Sequence, residues 1–519
     1  MNRQDLILLD CTLRDGGYVN DWKFGFEGAR SIIKYLTKSG MDVIEVGFLR
    51  NVEEYDPDVT VCRHIEELNK LLPKDSGNAI YSAMAMRSNY NIDNLSNYNG
   101  TGIEMIRITA HDYDIEEGLE FAKKVKEKGY KVSINPINIM GYSDEQILWI
   151  IDKVNSILPY QFSVVDTFGS MHKKDLDRII SLVDNNLDKN IRVGLHLHEN
   201  MSLSCYLAQS FIEKHLNRPI AVDGSLMGMG RIPGNLPIEL IADYCNDYME
   251  KSYDIDYIMD AIQDYIAPLK GKTQWGYTPA YFLSAKFNLH RNYAEYYLEK
   301  GDLTNKDINH ILSQFDSNKK TVFDSSYADR VYEEYKNNCI DDAADWKKLK
   351  EKLKAESILL LAPGYTVKEY KNSIDRYIEE NNPIVISINF IPNEYSVDYA
   401  FFSNNKRFTK AEKNDTEIIA TSNLMDPGID YMINYNKVSG AFAQGCNSFI
   451  MCLKLLKEIG AKSISVAGAD GYKEQGNNYF TSEMKSSTLN GNNFNITVIE
   501  AIRALGVNVN FITPSEYDK

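Results

Sequence analysis

The chain of 519 residues lacks several things at once. No stretch approaches the roughly 18 uninterrupted apolar residues of a membrane helix, so no membrane span is expected. Cysteines number seven, an odd count at scattered positions with no CxxC pair, which excludes a disulfide framework and a zinc ribbon. The N-terminus MNRQDLILLDC brackets a four-residue apolar run with Asp5 and Asp10, unlike a signal peptide. Reduced thiols in a cytoplasmic protein are the expectation. Basic residues are outnumbered, 57 Lys and Arg against 73 Asp and Glu, for a net charge of −16. Such a surface repels nucleic acid and anionic lipid. A small anion would bind only where a metal or local arginines reverse the field. Repeats and low-complexity tracts are absent too. What remains, 44% hydrophobic and 25% charged residues, is ordinary for globular protein, and the length suggests roughly two to four domains.

The first half alternates β-rich apolar runs with amphipathic stretches. Strands are predicted at 6–10, 43–48, 80–86, 105–110, 131–139, 162–168, 192–199 and 220–227. Helical spacing lies between them, as at Glu116–Lys128 and Asp144–Ile157. The connection SNYNIDNLSNYNGTG reads as a short helix with loops. Strict alternation implies parallel pairing, and eight such units in about 250 residues favour a closed (β/α)8 TIM barrel over an open sheet. The fold class is therefore α/β: a barrel over 1–250, a helical region and linker over 251–355, and a second, smaller Rossmann-like α/β domain over 356–519. In the helical region Thr304 and Asp307 resemble a capping box, and DDAADWKKLKEKLKAES reads as a solvated helix or linker. In the last part ILLLAPGY, IVISINF (384–390) and SISVAG (463–468) read as strands, and FIMCLKLLKEIG as a helix.

Function in such a barrel belongs at the C-terminal strand ends. There the first strand runs into Asp10-Cys11-Thr12-Leu13-Arg14-Asp15-Gly16-Gly17-Tyr18. The second strand carries Glu45, the sixth Asp166, the seventh His196-Leu197-His198, and the eighth is followed by GMGRIPGN, with Arg231 and Asn235. Residues i and i+2 of a strand share a face, so the two imidazoles should converge. With Asp15 from the neighbouring strand of a closed barrel they form a divalent-metal set with open positions. Arg14 could stabilise a developing enolate oxygen, held by Glu45; an Arg14–Glu45 ion pair closing the barrel end is the structural alternative, and both can hold. Asp166, Asn235 and Arg231 are candidate substrate-binding residues.

Taken together these residues resemble the DRE-TIM metallolyase (HMGL-like) superfamily, whose signature is matched by Arg14, Asp15, Glu45, His196 and His198. LLDCTLRDGGY, HLHEN, VDGSLMGMGRIPGNLPIE and KTQWGYTPAYFLSA are most similar to the 4-hydroxy-2-oxovalerate aldolase branch, over about residues 1–290. The resemblance implies a divalent-metal pyruvate aldolase. Asp15, His196 and His198 would hold Mn²⁺ or Mg²⁺, pyruvate or another 2-keto acid would be chelated, Arg14 would stabilise the enolate, and an aldehyde would be the other substrate. It also implies a homodimer. The branch places a catalytic histidine three residues after the metal-binding aspartate, where this chain has Tyr18. His111, metal-bound hydroxide and Tyr281 are the alternatives as proton carrier.

The second domain lacks a GxGxxG fingerprint. Its loop APGYT, with Gly364, Tyr365 and Thr366, could cradle a phosphate. With SNNKR and VAGADGY, which contains Asp470, it resembles sialyltransferase-like Rossmann domains. A nucleotide sugar or sugar-phosphate aldehyde in surface-polysaccharide synthesis is the implied ligand. Cys446 in AQGCNSF reads as a helix-start cysteine rather than a reactive thiol. Two other function classes stay open: a Claisen-type acyl-CoA condensing enzyme or lyase, and a non-catalytic metal-binding barrel with a ligand-binding C-terminal domain. An iron(II) oxygenase shares the ligand types but has no other support.

Overall fold

Eight apolar runs become eight parallel strands, because each is followed by a segment that can cross back over its outer face. The computed structural model describes residues 6–518 except 76, 232, 302, 304, 337, 339, 413–414, 425, 440–446, 473–478 and 481–490. The strands are β1 (Leu6–Asp10), β2 (Val43–Leu49), β3 (Ile80–Met86), β4 (Met105–Ala110), β5 (Lys131–Pro136), β6 (Gln161–Asp166), β7 (Arg192–Leu197) and β8 (Ile220–Gly224). Each pairs with the next, and the sheet closes twice over on β1: Leu6 to Asp10 align with Ile220 to Gly224, and Leu9 with Val43. A two-residue strand, Val61–Cys62, lies outside the ring on β2. The closed (β/α)8 barrel expected from the alternation is therefore present.

Its helices cover the strands through apolar stripes. Phe26–Lys38 buries Ala29, Ile32, Ile33 and Leu36, the i, i+3, i+4, i+7 pattern of one helical face. The isoleucines and leucine contribute about 1.5–3 kcal/mol each when fully buried. The third crossover carries only the short turns Arg87–Asn89 and Ile92–Asn94, as its asparagine-rich sequence suggests. Four strands end earlier than the apolar pattern: at Pro136, Asp166, Leu197 and Gly224 rather than 139, 168, 199 and 227. The chain has already turned there, with Asn138 and Met227 at φ 55° and 54°, a left-handed backbone that no strand continues through.

The described residues form two compact units, Met1–Glu295 with Phe315–Phe323, and Tyr296–Gln314 with Asp324–Lys519. In the second unit an all-parallel sheet is built from β9 (Ser357–Leu361), β10 (Ile384–Ile388), β11 (Tyr399–Phe402), β12 (Glu417–Thr421), β13 (Tyr431–Ile433), β14 (Ser463–Ala467) and β15 (Val509–Phe511). Its spatial order is 13-12-11-10-9-14-15, so the order reverses between β9 and β14. The strands β11, β12, β13 and β15 were not foreseen; they are short, three to five residues. The charged stretch after Asp341 is helical as expected but is not wholly solvated. It holds the helix Ala343–Leu353, whose Leu349 and Leu353 are wholly buried in the second unit's core. Thr304 of the expected capping box and Cys446 lie outside the described residues. Among the described residues no helix is long and apolar enough to cross a membrane.

Candidate active site

The loop after β1 is fixed by its own polar residues. Thr12 donates its amide and its hydroxyl to the Asp10 carboxylate, both at 2.9 Å. The Trp22 indole donates to the Arg14 carbonyl at 2.6 Å. A Cβ on Gly17 would lie 2.0 Å from the Trp22 ring, so this close approach requires glycine. Arg14 and Asp15 are thereby presented at the mouth of the barrel, nearly inaccessible at 5% and 3% exposure.

Asp15, His196 and His198 offer one ligand atom each within 4.8 Å of one another. His198 lies just past β7, held by a bridge to Asn235, and its ring centroid is 5.0 Å from that of His196. Each imidazole has its Nδ1 engaged: His196 with Asp223 Oδ2 at 3.1 Å, His198 with the Asp166 carbonyl at 2.9 Å. Donation from Nδ1 leaves the Nε2 lone pair of each ring for a metal. Asp15 Oδ2 is buried without a hydrogen-bond donor, and His198 Nε2 stands 3.7 Å from it. That is too long for a hydrogen bond. It suits two atoms sharing a cation, since ligands at about 2.1 Å from one ion lie roughly 3–4 Å apart. Asn235 Oδ1 is also buried without a partner. The donor set, two imidazoles and a carboxylate with orphaned oxygens, fits a divalent metal.

Beneath the triad runs a chain of buried charges. Arg14 donates to Asp15, and through Nε to Glu45 Oε2 at 2.7 Å. Arg107, 1% exposed, donates to the same Glu45 oxygen at 3.0 Å, to Asn135 at 3.2 Å and to Asp223. Asp223 in turn holds His196. Burial would raise the Asp15 carboxyl, but Arg14 and the imidazoles outweigh it and hold it well below the usual range. Asp223 is likewise held down against burial, by Arg107 and His196. Burial pushes the His196 imidazole down, so it is neutral at pH 7, the form that ligates metals.

A family model described as HMGL-like matches residues 5–264, half of the chain and all eight barrel strands. The chain belongs to the HMGL-like family. Among its relatives, a 4-hydroxy-2-oxovalerate aldolase of Pseudoalteromonas translucida is 25% identical over 266 residues, covering 50% of this chain and 76% of the relative. An oxaloacetate decarboxylase of Mycobacterium tuberculosis is 25% identical over 256 residues, covering 49% and 74%. Among solved structures, the N-terminal domain of a candidate aldolase from Bacteroides vulgatus is 24% identical and covers 56% of this chain and 96% of that domain, with a TM-score of 0.47. The chain is an enzyme of the lyase class, and its curated relatives include 4-hydroxy-2-oxovalerate aldolases and an oxaloacetate decarboxylase.

The remaining candidates of this HMGL-like barrel fall in distinct places. Both carboxylate oxygens of Asp166 accept backbone amides, from Ser170 at 2.9 Å and Met171 at 3.0 Å; its link to the site is the carbonyl that orients His198. Tyr18 is 39% exposed, its hydroxyl 3.4 Å from Arg50 and its ring beneath Arg231, whose Cζ is 5.7 Å from the centroid. Arg231 lines a narrow cleft with His198, Asn200, Phe168, His290 and Arg291. His111, past β4, stacks on Tyr113 at 4.9 Å and is pushed down by burial. Tyr281 donates to Glu295 at 2.9 Å rather than into the cleft, and burial with that bond pushes its hydroxyl up to about 12. In the second unit Thr366 donates to Asp470 through its amide at 2.9 Å and through its hydroxyl, and Gly364 donates to the Gly468 carbonyl at 2.8 Å. Tyr365 is 37% exposed.

Arg107, Asn135, Asp223, His290 and Arg291 were not singled out from the sequence. Arg107 and Asp223 did leave a signal: a charged residue inside an otherwise apolar strand, MIRITA and IAVDG, has to find a buried partner.

Proposed function

We propose that this chain is a divalent-metal-dependent aldolase, forming or cleaving a carbon–carbon bond between the enolate of pyruvate and an aldehyde, with Mn²⁺ or Mg²⁺ held by Asp15, His196 and His198. The observation that carries this reading is the convergence of those three groups, both imidazoles oriented through Nδ1, directly beside Arg14. When bound, the cation supplies a Lewis acid that polarises the keto group and acidifies the adjacent C–H. Arg14, braced by Glu45 and Asp15, offers its guanidinium to the oxygen on which negative charge develops. Asp223 and the Asp166 carbonyl keep the imidazoles from rotating. His111 is the proposed proton carrier, since the His290 Nε2 already accepts from Arg231 at 2.6 Å.

Two features support the wider context. Gly364, Tyr365, Thr366 and Asp470 lie past the C-terminal ends of β9 and β14, where the strand order reverses, the usual ligand position of an open α/β sheet; a nucleotide sugar or phosphate is the proposed ligand. The free cysteines among the described residues are mostly buried, in keeping with a reducing, cytoplasmic setting. A homodimer rests on family likeness alone. An enolate-forming decarboxylase is the second reading, favoured by the oxaloacetate decarboxylase among the relatives, and would use the same triad.

The test is pyruvate with Mn²⁺ in D2O, with methyl exchange followed by NMR. Exchange is expected in the parent and reduced at least about a hundredfold in Asp15→Asn and His196→Ala. His111→Asn should lose about 10²–10⁴-fold, the usual worth of a general base. Exchange that survives in Asp15→Asn and His196→Ala removes the metal assignment. Release of CO2 from oxaloacetate without aldol product would favour the decarboxylase.

A further inference from the structure

A chain with a net charge of −16 sets two arginines at the mouth of its metal cleft. Arg231 and Arg291 line it together with the metal-ligating His198. Arg231 forms no ion pair among the described residues; its Nη2 donates to His290 Nε2 at 2.6 Å. His290 is neutral, pushed down to about 3 by burial and by the two arginines, so the bond leaves the Arg231 charge uncompensated. Arg291 Nη1 donates to Glu295 Oε1 at 3.1 Å, but that oxygen also accepts from Tyr281, and the Arg291 Nε is buried without a partner. The carboxylates beside His111 are engaged elsewhere: Asp114 accepts the His111 amide at 2.7 Å and Asp112 the Tyr113 amide at 3.1 Å. Among the described residues, Glu295 is the one carboxylate bonded to either guanidinium, and it pairs with Arg291 alone.

Unpaired donors of this kind are costly in a half-buried cleft. A planar fork of N–H groups matches the oxygens of a carboxylate or phosphate. The keto acid has its own partners in the triad and Arg14, which bonds to Asp15 and Glu45. On the reading of the site as a pyruvate aldolase, we propose that Arg231 and Arg291 recognise the other substrate, and that the aldehyde accordingly carries an anionic group, a carboxylate or a phosphate. Asn200, buried with its Oδ1 lacking a donor, faces the same cleft and supplies an acceptor for a hydroxyl of that substrate.

The experiment uses the full chain with Mn²⁺ and pyruvate, and compares matched acceptors: succinic semialdehyde against butanal, and glycolaldehyde phosphate against glycolaldehyde. The parent should favour the charged member of at least one pair by tenfold or more in kcat/KM, and the preferred pair tells carboxylate from phosphate. Arg231→Gln and Arg291→Gln should collapse that ratio by tenfold or more, chiefly through the KM of the charged aldehyde, while Arg291→Lys keeps part of it. A parent that uses charged and uncharged acceptors equally, or uses neither, overturns the proposal. So do variants that lower both members of a pair alike. Pyruvate exchange in the parent without any acceptor is measured first. Its absence sinks the aldolase reading itself, and this proposal with it; its presence with equal acceptor use sinks only the anion subsite.

Discussion

The loops at the barrel mouth and past β9 and β14 of the second unit treat their polar residues in opposite ways. In the barrel, buried oxygens of Asp15, Glu45, Asn200, Asp223 and Asn235 each lack a donor, although charged neighbours surround them. In the second unit the equivalent loop closes on itself: Asp470 takes both bonds from Thr366, Thr366 meets Thr513 at 3.0 Å, and Gly468 donates to Thr513 at 2.9 Å. Orphaned buried groups cost stability and are kept where a ligand will satisfy them. A mutually satisfied loop chiefly holds its own geometry. The difference teaches that strand-end position alone does not rank two candidate sites.

Four measurements would break or sharpen this contrast. The largest effect is expected from Arg107→Met, which leaves Glu45 and Asp223 without their shared cation. It should cost about 3–5 kcal/mol of barrel stability in chemical denaturation, and a loss below 1 kcal/mol would mean that the buried charges are relieved some other way. Next comes Asp10, pushed up to about 7 by burial, against the pull of Thr12. Its folded form holds a proton that the unfolded chain releases, so its contribution is whole below the ordinary carboxylate range and is lost as pH rises to about 7. The stability of the parent relative to Asp10→Asn should fall by about 2–3 kcal/mol between pH 5 and pH 8; parallel pH profiles would count against this titration. Asp15 and Asp223 act in the reverse sense. Their depressed values stabilise the fold above the ordinary carboxylate range, and that contribution disappears only in strong acid.

Third, Asp223→Asn weakens the brace on His196 and should lower Mn²⁺ affinity about 10–100-fold by calorimetry; unchanged affinity would detach the buried charge chain from the metal. The smallest effect belongs to the second unit. Thr366→Val should cost about 1–2 kcal/mol and leave pyruvate exchange as it was. Loss of nucleotide-sugar binding without any loss of stability would instead make this loop a binding site like the barrel's.

Much of the barrel was legible because alternation of apolar strand and amphipathic helix is a local property. The triad was legible because HLH and RDGG carry unusual residue types at fixed spacing. The short strands β11, β12, β13 and β15 were not, since three to five residues give little periodicity. Leu349 and Leu353 were hidden among lysines, whose charge masks a two-residue apolar stripe.

The linear order of residues determined the barrel's strand count, its parallel pairing and the residue types of the candidate metal site, since each depends on neighbours within a few positions. Only folding in three dimensions decided how those groups are braced. Arg107 reaches Glu45 across 62 positions and Asp223 across 116, and nothing local to any of the three encodes such a meeting. It arises because ring closure turns the inward face of every strand toward a common axis, where like-depth side chains from distant segments must neutralise one another.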